Sequence, residues 1–143
     1  MLLRLTKQFS FEMAHALPAY EGKCHNIHGH SYRLFVTVEG IPLDRQGAST
    51  EGMVMDFHAL KEFVVEHIVE PFDHALVLPR SNGQSGFPIG DYATKLIWVN
   101  FQPTAENLLI HFSRLLEGKL PEGVRLHSLK LYETETSCAE LIL

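Results

Sequence analysis

Apolar and polar positions alternate from Leu3 to Glu12. Leu3, Leu5, Phe9 and Phe11 share one parity with Lys7, while Thr6, Gln8, Ser10 and Glu12 hold the other. A period of two predicts a half-buried antiparallel strand that ends close to His15. The loop Leu17 to Gly22 leads on to a second alternating run, in which Tyr32, Leu34, Val36 and Val38 oppose Arg33, Phe35, Thr37 and Glu39. Gly40 and Pro42 end that strand, and Leu43 to Gly52 is a polar loop rich in turn formers. Two strands this near in sequence predict a hairpin-like pair with a long connection.

The period then changes. Asp56 is placed to cap a helix from Phe57 to Pro71, with Leu60, Phe63, Val64 and Ile68 forming one apolar stripe. His58 and His67 lie off the stripe and read as surface residues. A second helix opens at Pro103-Thr104 and runs to Gly118, with Thr104 as N-cap. Leu108, Leu109, Phe112, Leu115 and Leu116 make its buried stripe, and His111 flanks it as a packing residue. Between the helices, Ala75 to Leu78 and Lys95 to Phe101 are strand-like, and Pro79 to Ala93 is rich in Gly, Pro, Ser and Asn. The economical reading is an inserted hairpin whose long tip is either a lid or interface arm, or a tolerated surface insertion. Leu126 to Glu133 and Ala139 to Leu143 supply two further main strands.

The resulting order predicts one α+β domain over residues 1–143: an antiparallel four-stranded sheet, two helices on one face, and the inserted hairpin. The other sheet face carries Phe and Tyr in places and needs a cover, which a subunit interface can provide.

Composition narrows the classes. The chain has 143 residues, 45% hydrophobic and 20% charged, enough to bury a core without staples. Twelve Lys and Arg against 17 Asp and Glu give a formal charge of −5, which argues against nucleic acid as a partner. Its two cysteines, Cys24 and Cys138, make no disulfide framework. Met1-Leu2-Leu3-Arg4 meets a charge too early for the apolar core of a signal peptide, and no apolar run approaches the roughly 20 residues of a membrane span. A reduced, cytoplasmic protein is the expectation.

The segment Cys24-His25-Asn26-Ile27-His28-Gly29-His30 concentrates the candidate chemistry. On a strand, His28 and His30 project from one face and can aim at one point. His15, at the end of the first strand, is the natural third nitrogen. Three imidazoles leave a zinc ion one open position, the arrangement of a catalytic site. Cys24 is either a fourth ligand or a thiolate base or nucleophile beside the metal. An H-x-H pair alone is weak evidence in a chain with nine histidines. Asp73-His74, just past the first helix, reads as a solvated loop, adjacent residues seldom pairing with each other. Glu133 shares a face with Leu129 and Leu131, so its carboxylate either reaches the rim or is held for a ligand.

Taken together, these pieces resemble the family of 6-pyruvoyl-tetrahydropterin and 6-carboxytetrahydropterin synthases. The matching residues are Phe11-Glu12-Met13-Ala14-His15, Cys24 with His28-Gly29-His30, Met53-Val54-Met55-Asp56-Phe57, Asp73-His74, Pro103-Thr104-Ala105-Glu106-Asn107 and Tyr132-Glu133-Thr134. They stand in family order and cover most of the chain. The resemblance implies a tunnelling fold, in which several subunits close their sheets into a barrel as a homo-oligomer, a hexamer or similar, with active sites at subunit boundaries. It implies Zn2+ on His15, His28 and His30, proton transfer by Cys24, a relay of Asp73 and His74, and a pterin held by Glu133 and, less securely, Thr104. The implied substrate is 7,8-dihydroneopterin triphosphate. Three residues separate Cys24 from His28, as in the bacterial carboxy-forming enzymes of the queuosine route, so 6-carboxy-5,6,7,8-tetrahydropterin with release of acetaldehyde is the expected product. The alternatives are a pyruvoyl-forming synthase and, in another class, a non-catalytic pterin- or zinc-binding protein. Pro79 and the insertion that follows depart from many members of the family and leave the pocket wall open.

Overall fold

The computed structural model describes residues 1–80 and 92–143. Two long strands, β1 (Leu3–His15) and β2 (His28–Gly40), pair antiparallel over their whole length, from Leu3 opposite Gly40 to His15 opposite His28. Strand β5 (Val124–Tyr132) runs antiparallel to β2, and β6 (Cys138–Ile142) antiparallel to β5. These four are the main strands expected from the alternation.

The sheet does not stop there. Strands β3 (Ala75–Pro79) and β4 (Leu96–Val99) extend it beyond β1, giving the order β4-β3-β1-β2-β5-β6. Strand β3 is parallel to β1, and β4 is parallel to β3. The expected inserted hairpin is therefore corrected to a crossover, and the four-stranded antiparallel sheet to a mixed sheet of six strands. The connection is the physical reason. A parallel pair needs a dozen or more residues to return the chain to the same end, and the run from β3 to β4 supplies them. The tip assigned to Pro79–Ala93 falls largely on residues 81–91, outside the described residues.

The first helix (Phe57–Val64) begins where Asp56 accepts a hydrogen bond from the His58 N–H at 2.7 Å. It continues through a π-helical stretch (Val65–Val69) into a last turn (Glu70–Phe72). Pro71, with no N–H to donate, lies just beyond the widened stretch. The second helix (Ala105–Leu116) is capped by Thr104, whose hydroxyl accepts from the Asn107 N–H at 3.3 Å. Leu60, Val64, Ile68, Leu108, Leu109, Phe112 and Leu116 pack with Phe9, Phe11, Met13, Tyr32, Leu34, Val36, Leu129 and Leu131 in a single core. Each fully buried Leu there stabilises the fold by roughly 2 kcal/mol relative to exposure. His111 lies against the rings of Phe72, Phe101 and Phe112, as a packing residue should. No helix among the described residues is long and apolar enough to cross a membrane.

Candidate metal centre and active site

The β1–β2 register builds the centre. His15 and His28 are cross-strand partners, and Met13 is the partner of His30. Period-two geometry then puts His15, His28 and His30 on the sheet face that also carries Phe11 and Tyr32. The candidate ligand atoms of the three imidazoles lie within 4.8 Å of one another. Cys24 does not join that group; it sits half-buried in a short turn (Lys23–His25), its carbonyl accepting from the Leu17 N–H at 3.0 Å.

Backbone carbonyls fix two of the rings. His15 is fully buried and donates from Nδ1 to the Pro103 carbonyl at 2.7 Å. His28 donates from Nδ1 to the Asn26 carbonyl at 2.7 Å. With Nδ1–H spent on an oxygen, each ring turns the lone pair of Nε2 inward. Those two Nε2 atoms are 3.1 Å apart. Nε2 of His30 is buried and has no hydrogen-bond partner among the described residues. Burial pushes the His15 imidazole below its ordinary range, helped by repulsion from His28 and His30, although the Pro103 carbonyl and Glu133 pull the other way. His30 is lowered too, chiefly by burial. Converging imidazoles with an orphaned nitrogen are a donor set that suits a divalent cation.

Glu133 follows β5 and turns inward. Its Oε1 lies 3.3 Å from Nε2 of His15 and 3.5 Å from Nε2 of His30, and it accepts the Tyr32 hydroxyl at 3.1 Å. Of the two places open to Glu133, the rim and the interior of the site, the second is the observed one: although partly exposed, its carboxylate reaches the buried histidines. The helix opening at Thr104 touches the same centre, through the neighbouring Pro103 carbonyl on His15.

Asp73 and His74 form a separate group. His74 Nδ1 lies 3.0 Å from Asp73 Oδ2, so these neighbours do pair, against the expectation of a plain loop. Local backbone geometry explains it. His74 has a φ of 60°, which swings its ring back over Asp73, and the Glu12 N–H donates to Asp73 Oδ1 at 2.9 Å. That bond from Glu12, with His74 and Lys95 nearby, holds the Asp73 carboxyl below its usual range against the opposing effect of burial. His74 is exposed and lines an open groove of about 330 Å³ with Glu12, Met13, Ala14, Gly29, His30, Ser31 and Ala75. Glu12, Ala14, Gly29 and Ser31 have the opposite parity to His15, His28 and His30, while Met13 and His30 border the same groove from the other parity. Within one chain the structure brings the candidate metal donors and Glu133 together, and no hydrogen bond or ion pair among the described residues joins them to His74.

Similarity to known proteins agrees with this arrangement. A sequence profile described as 6-pyruvoyl tetrahydropterin synthase matches residues 4–142. The 6-carboxy-5,6,7,8-tetrahydropterin synthase of Haemophilus influenzae is 38% identical, over 97% of this chain and 98% of that protein. The chain belongs to the 6-pyruvoyl tetrahydropterin synthase family.

Other members fit the same picture. The Synechocystis protein named 6-carboxy-5,6,7,8-tetrahydropterin synthase is 36% identical, over 93% of this chain and 88% of that one. Among solved structures, the 6-pyruvoyl tetrahydropterin synthase of Plasmodium vivax superposes with a TM-score of 0.73 at 18% identity, covering 99% of this chain and 97% of that one. The enzyme of Caenorhabditis elegans gives 0.69 at 22% identity, covering 99% and 96%. At such identity the structures speak for the fold alone.

Sequence reasoning within the family pattern missed Tyr32, which read only as a core aromatic. It is fully buried, yet its hydroxyl lies 3.4 Å from Nε2 of His15 and donates to Glu133. The available signal was its position, two residues past His30 on the same strand face.

Proposed function

We propose that this chain is a zinc-dependent lyase that converts 7,8-dihydroneopterin triphosphate and water to 6-carboxy-5,6,7,8-tetrahydropterin, acetaldehyde and triphosphate. The observation that carries the reading is the convergence of His15, His28 and His30, with Nδ1 of His15 and His28 spent on carbonyls. Relatives named for the carboxy product at up to 38% identity favour that branch. So does the Cys24-x-x-x-His28 spacing.

His15, His28 and His30 would hold the zinc. A bound zinc ion supplies Lewis-acid polarisation of the substrate side-chain hydroxyls. Glu133, ionised, accepts donors from the amino-pyrimidine edge of the pterin in a charge-assisted, directional contact. Thr104 is the second polar group assigned to that ring. Cys24 as thiolate removes a carbon-bound proton from the side chain. His74, its Nδ1–H donated to Asp73, offers the lone pair of Nε2 to accept a proton in the relay. His74 makes no hydrogen bond or ion pair with the donors of its own chain among the described residues, and the complete site takes Asp73 and His74 from a neighbouring subunit. This supports a homo-oligomer, a hexamer or similar, with sheets closed into a barrel and sites at the boundaries. The protein works in the cytoplasm on a small pterin, with neither nucleic acid nor membrane as partner.

The test is product analysis. Zinc-loaded protein incubated with 7,8-dihydroneopterin triphosphate is expected to release one acetaldehyde per pterin consumed, with the carboxylated ring identified by mass. A product retaining its three-carbon side chain would assign the pyruvoyl-forming reaction instead. Substrate left intact by protein carrying a full complement of zinc would overturn the lyase reading.

A further inference from the structure

Glu133 begins the turn between β5 and β6, where its N–H donates to the Ser137 carbonyl at 3.1 Å. A glutamate in such a turn has three side-chain torsions and no intrinsic reason to hold one carboxylate orientation. Tyr32 provides that reason. Its ring is fully buried, stacked on Phe11 at 5.4 Å between centroids and 15° between planes. The edges of His30 and His15 flank it at 5.4 and 6.1 Å. So confined, the ring holds its hydroxyl at a fixed point, 3.1 Å from Glu133 Oε1.

We propose that Tyr32 is the positioning residue for Glu133, its hydroxyl pinning one carboxylate oxygen so that the remaining acceptor capacity faces an incoming pterin ring. The inference rests on the pterin-holding role given to Glu133 above. Without the hydroxyl, Glu133 loses its side-chain hydrogen-bond donor, and no other among the described residues holds its carboxylate in one rotamer beside the imidazole nitrogens 3.3 and 3.5 Å away. Tyr32 touches neither the side chain nor the leaving group of the substrate in this scheme. Its contribution is uniform binding, felt equally before and during the reaction, which appears in KM and leaves kcat alone.

The experiment compares zinc-loaded wild type, Tyr32→Phe, Glu133→Ala and the double variant, with neopterin, which carries no triphosphate, as the binding probe. A hydrogen bond to a charged group predicts neopterin affinity about tenfold weaker in Tyr32→Phe. KM should rise by the same factor, with kcat and zinc content unchanged. In the Glu133→Ala background the Tyr32 substitution should weaken binding no further, because the group it positions is gone. Equal neopterin affinity in wild type and Tyr32→Phe overturns the inference. So does a loss that persists in the Glu133→Ala background, or a loss of zinc, which would place the hydroxyl's role at the metal. Glu133→Asp breaks the same bond from the other side and leaves the Tyr32 packing intact; wild-type affinity there also overturns it. If the wild type itself fails to bind neopterin, the pterin reading falls and takes this inference with it.

Discussion

Nε2 of His15 and Nε2 of His28 face each other at 3.1 Å across a register pair of β1 and β2, while each ring's Nδ1 is bound to a backbone carbonyl. Two lone pairs held that close repel unless something positive lies between them. The carbonyls of Pro103 and Asn26 thus fix more than ring orientation; they fix the tautomer that a cation requires.

It follows that His15→Ala and His28→Ala should each lose the metal. Metal analysis of purified protein is expected to fall from about one zinc per chain to near zero, since two remaining imidazoles make a poor zinc site. Chelation of the wild type should abolish turnover while circular dichroism still shows folded protein. A site whose removal by chelator unfolds the chain outright would instead be structural.

Cys24 lies outside the converging donors, so its substitution should separate chemistry from metal binding. Cys24→Ala is expected to keep its zinc and its melting temperature. Turnover should drop about 10² to 10⁴-fold, the usual worth of a positioned proton-transfer group. Zinc loss in this variant would make Cys24 a ligand after all.

The buried imidazoles also set a pH dependence for the metal-free protein. His15 and His30 titrate below their ordinary range in the fold because burial disfavours their charged forms. The unfolded chain, with ordinary histidines near 6.5, then binds protons more readily than the folded one. Stability is therefore fully present above that value and declines as pH falls through it toward the lowered folded values. Urea midpoints of metal-free protein should decrease from pH 7.5 to pH 5.5, and His15→Gln should flatten that slope. A slope unchanged by the substitution would assign the effect to other groups.

Leu131 tests the core beneath the site. It is fully buried opposite Leu34 on β2 and two residues before Glu133. Leu131→Ala should cost about 2–5 kcal/mol by urea denaturation, with a substrate KM that rises as Glu133 loses its footing. A loss well below that range would show that the neighbouring side chains collapse to fill the space.

Much of this architecture was legible in the sequence, for identifiable reasons. Strands β1, β2 and β5 each have one face in water and one in the core, so their alternation is clean. Both helices carry apolar stripes and recognisable caps, Asp56 and Thr104. The convergence of His15, His28 and His30 was readable because strand parity decides which side chains share a face. What escaped notice depends on pairing direction and reach. Strands β3 and β4 are short, and nothing in Ala75–Pro79 distinguishes parallel from antiparallel partners. The Asp73–His74 contact needs a positive φ at a histidine, which residue type does not announce. Alternation left Glu133 open between rim and ligand because it predicts a face and says nothing of where a long side chain bends.

All three imidazole donors are encoded within the first thirty positions, yet the hairpin that carries them is not self-sufficient. An isolated two-stranded ribbon is marginal in water, and here β5 extends it at the β2 edge and the two helices cover its inner face, while the carbonyl that orients His15 comes from Pro103. A nascent chain halted before residue 100 therefore holds every donor and no preorganised trap. Preorganisation of the three imidazoles during synthesis waits for the carboxy-terminal third to leave the ribosome.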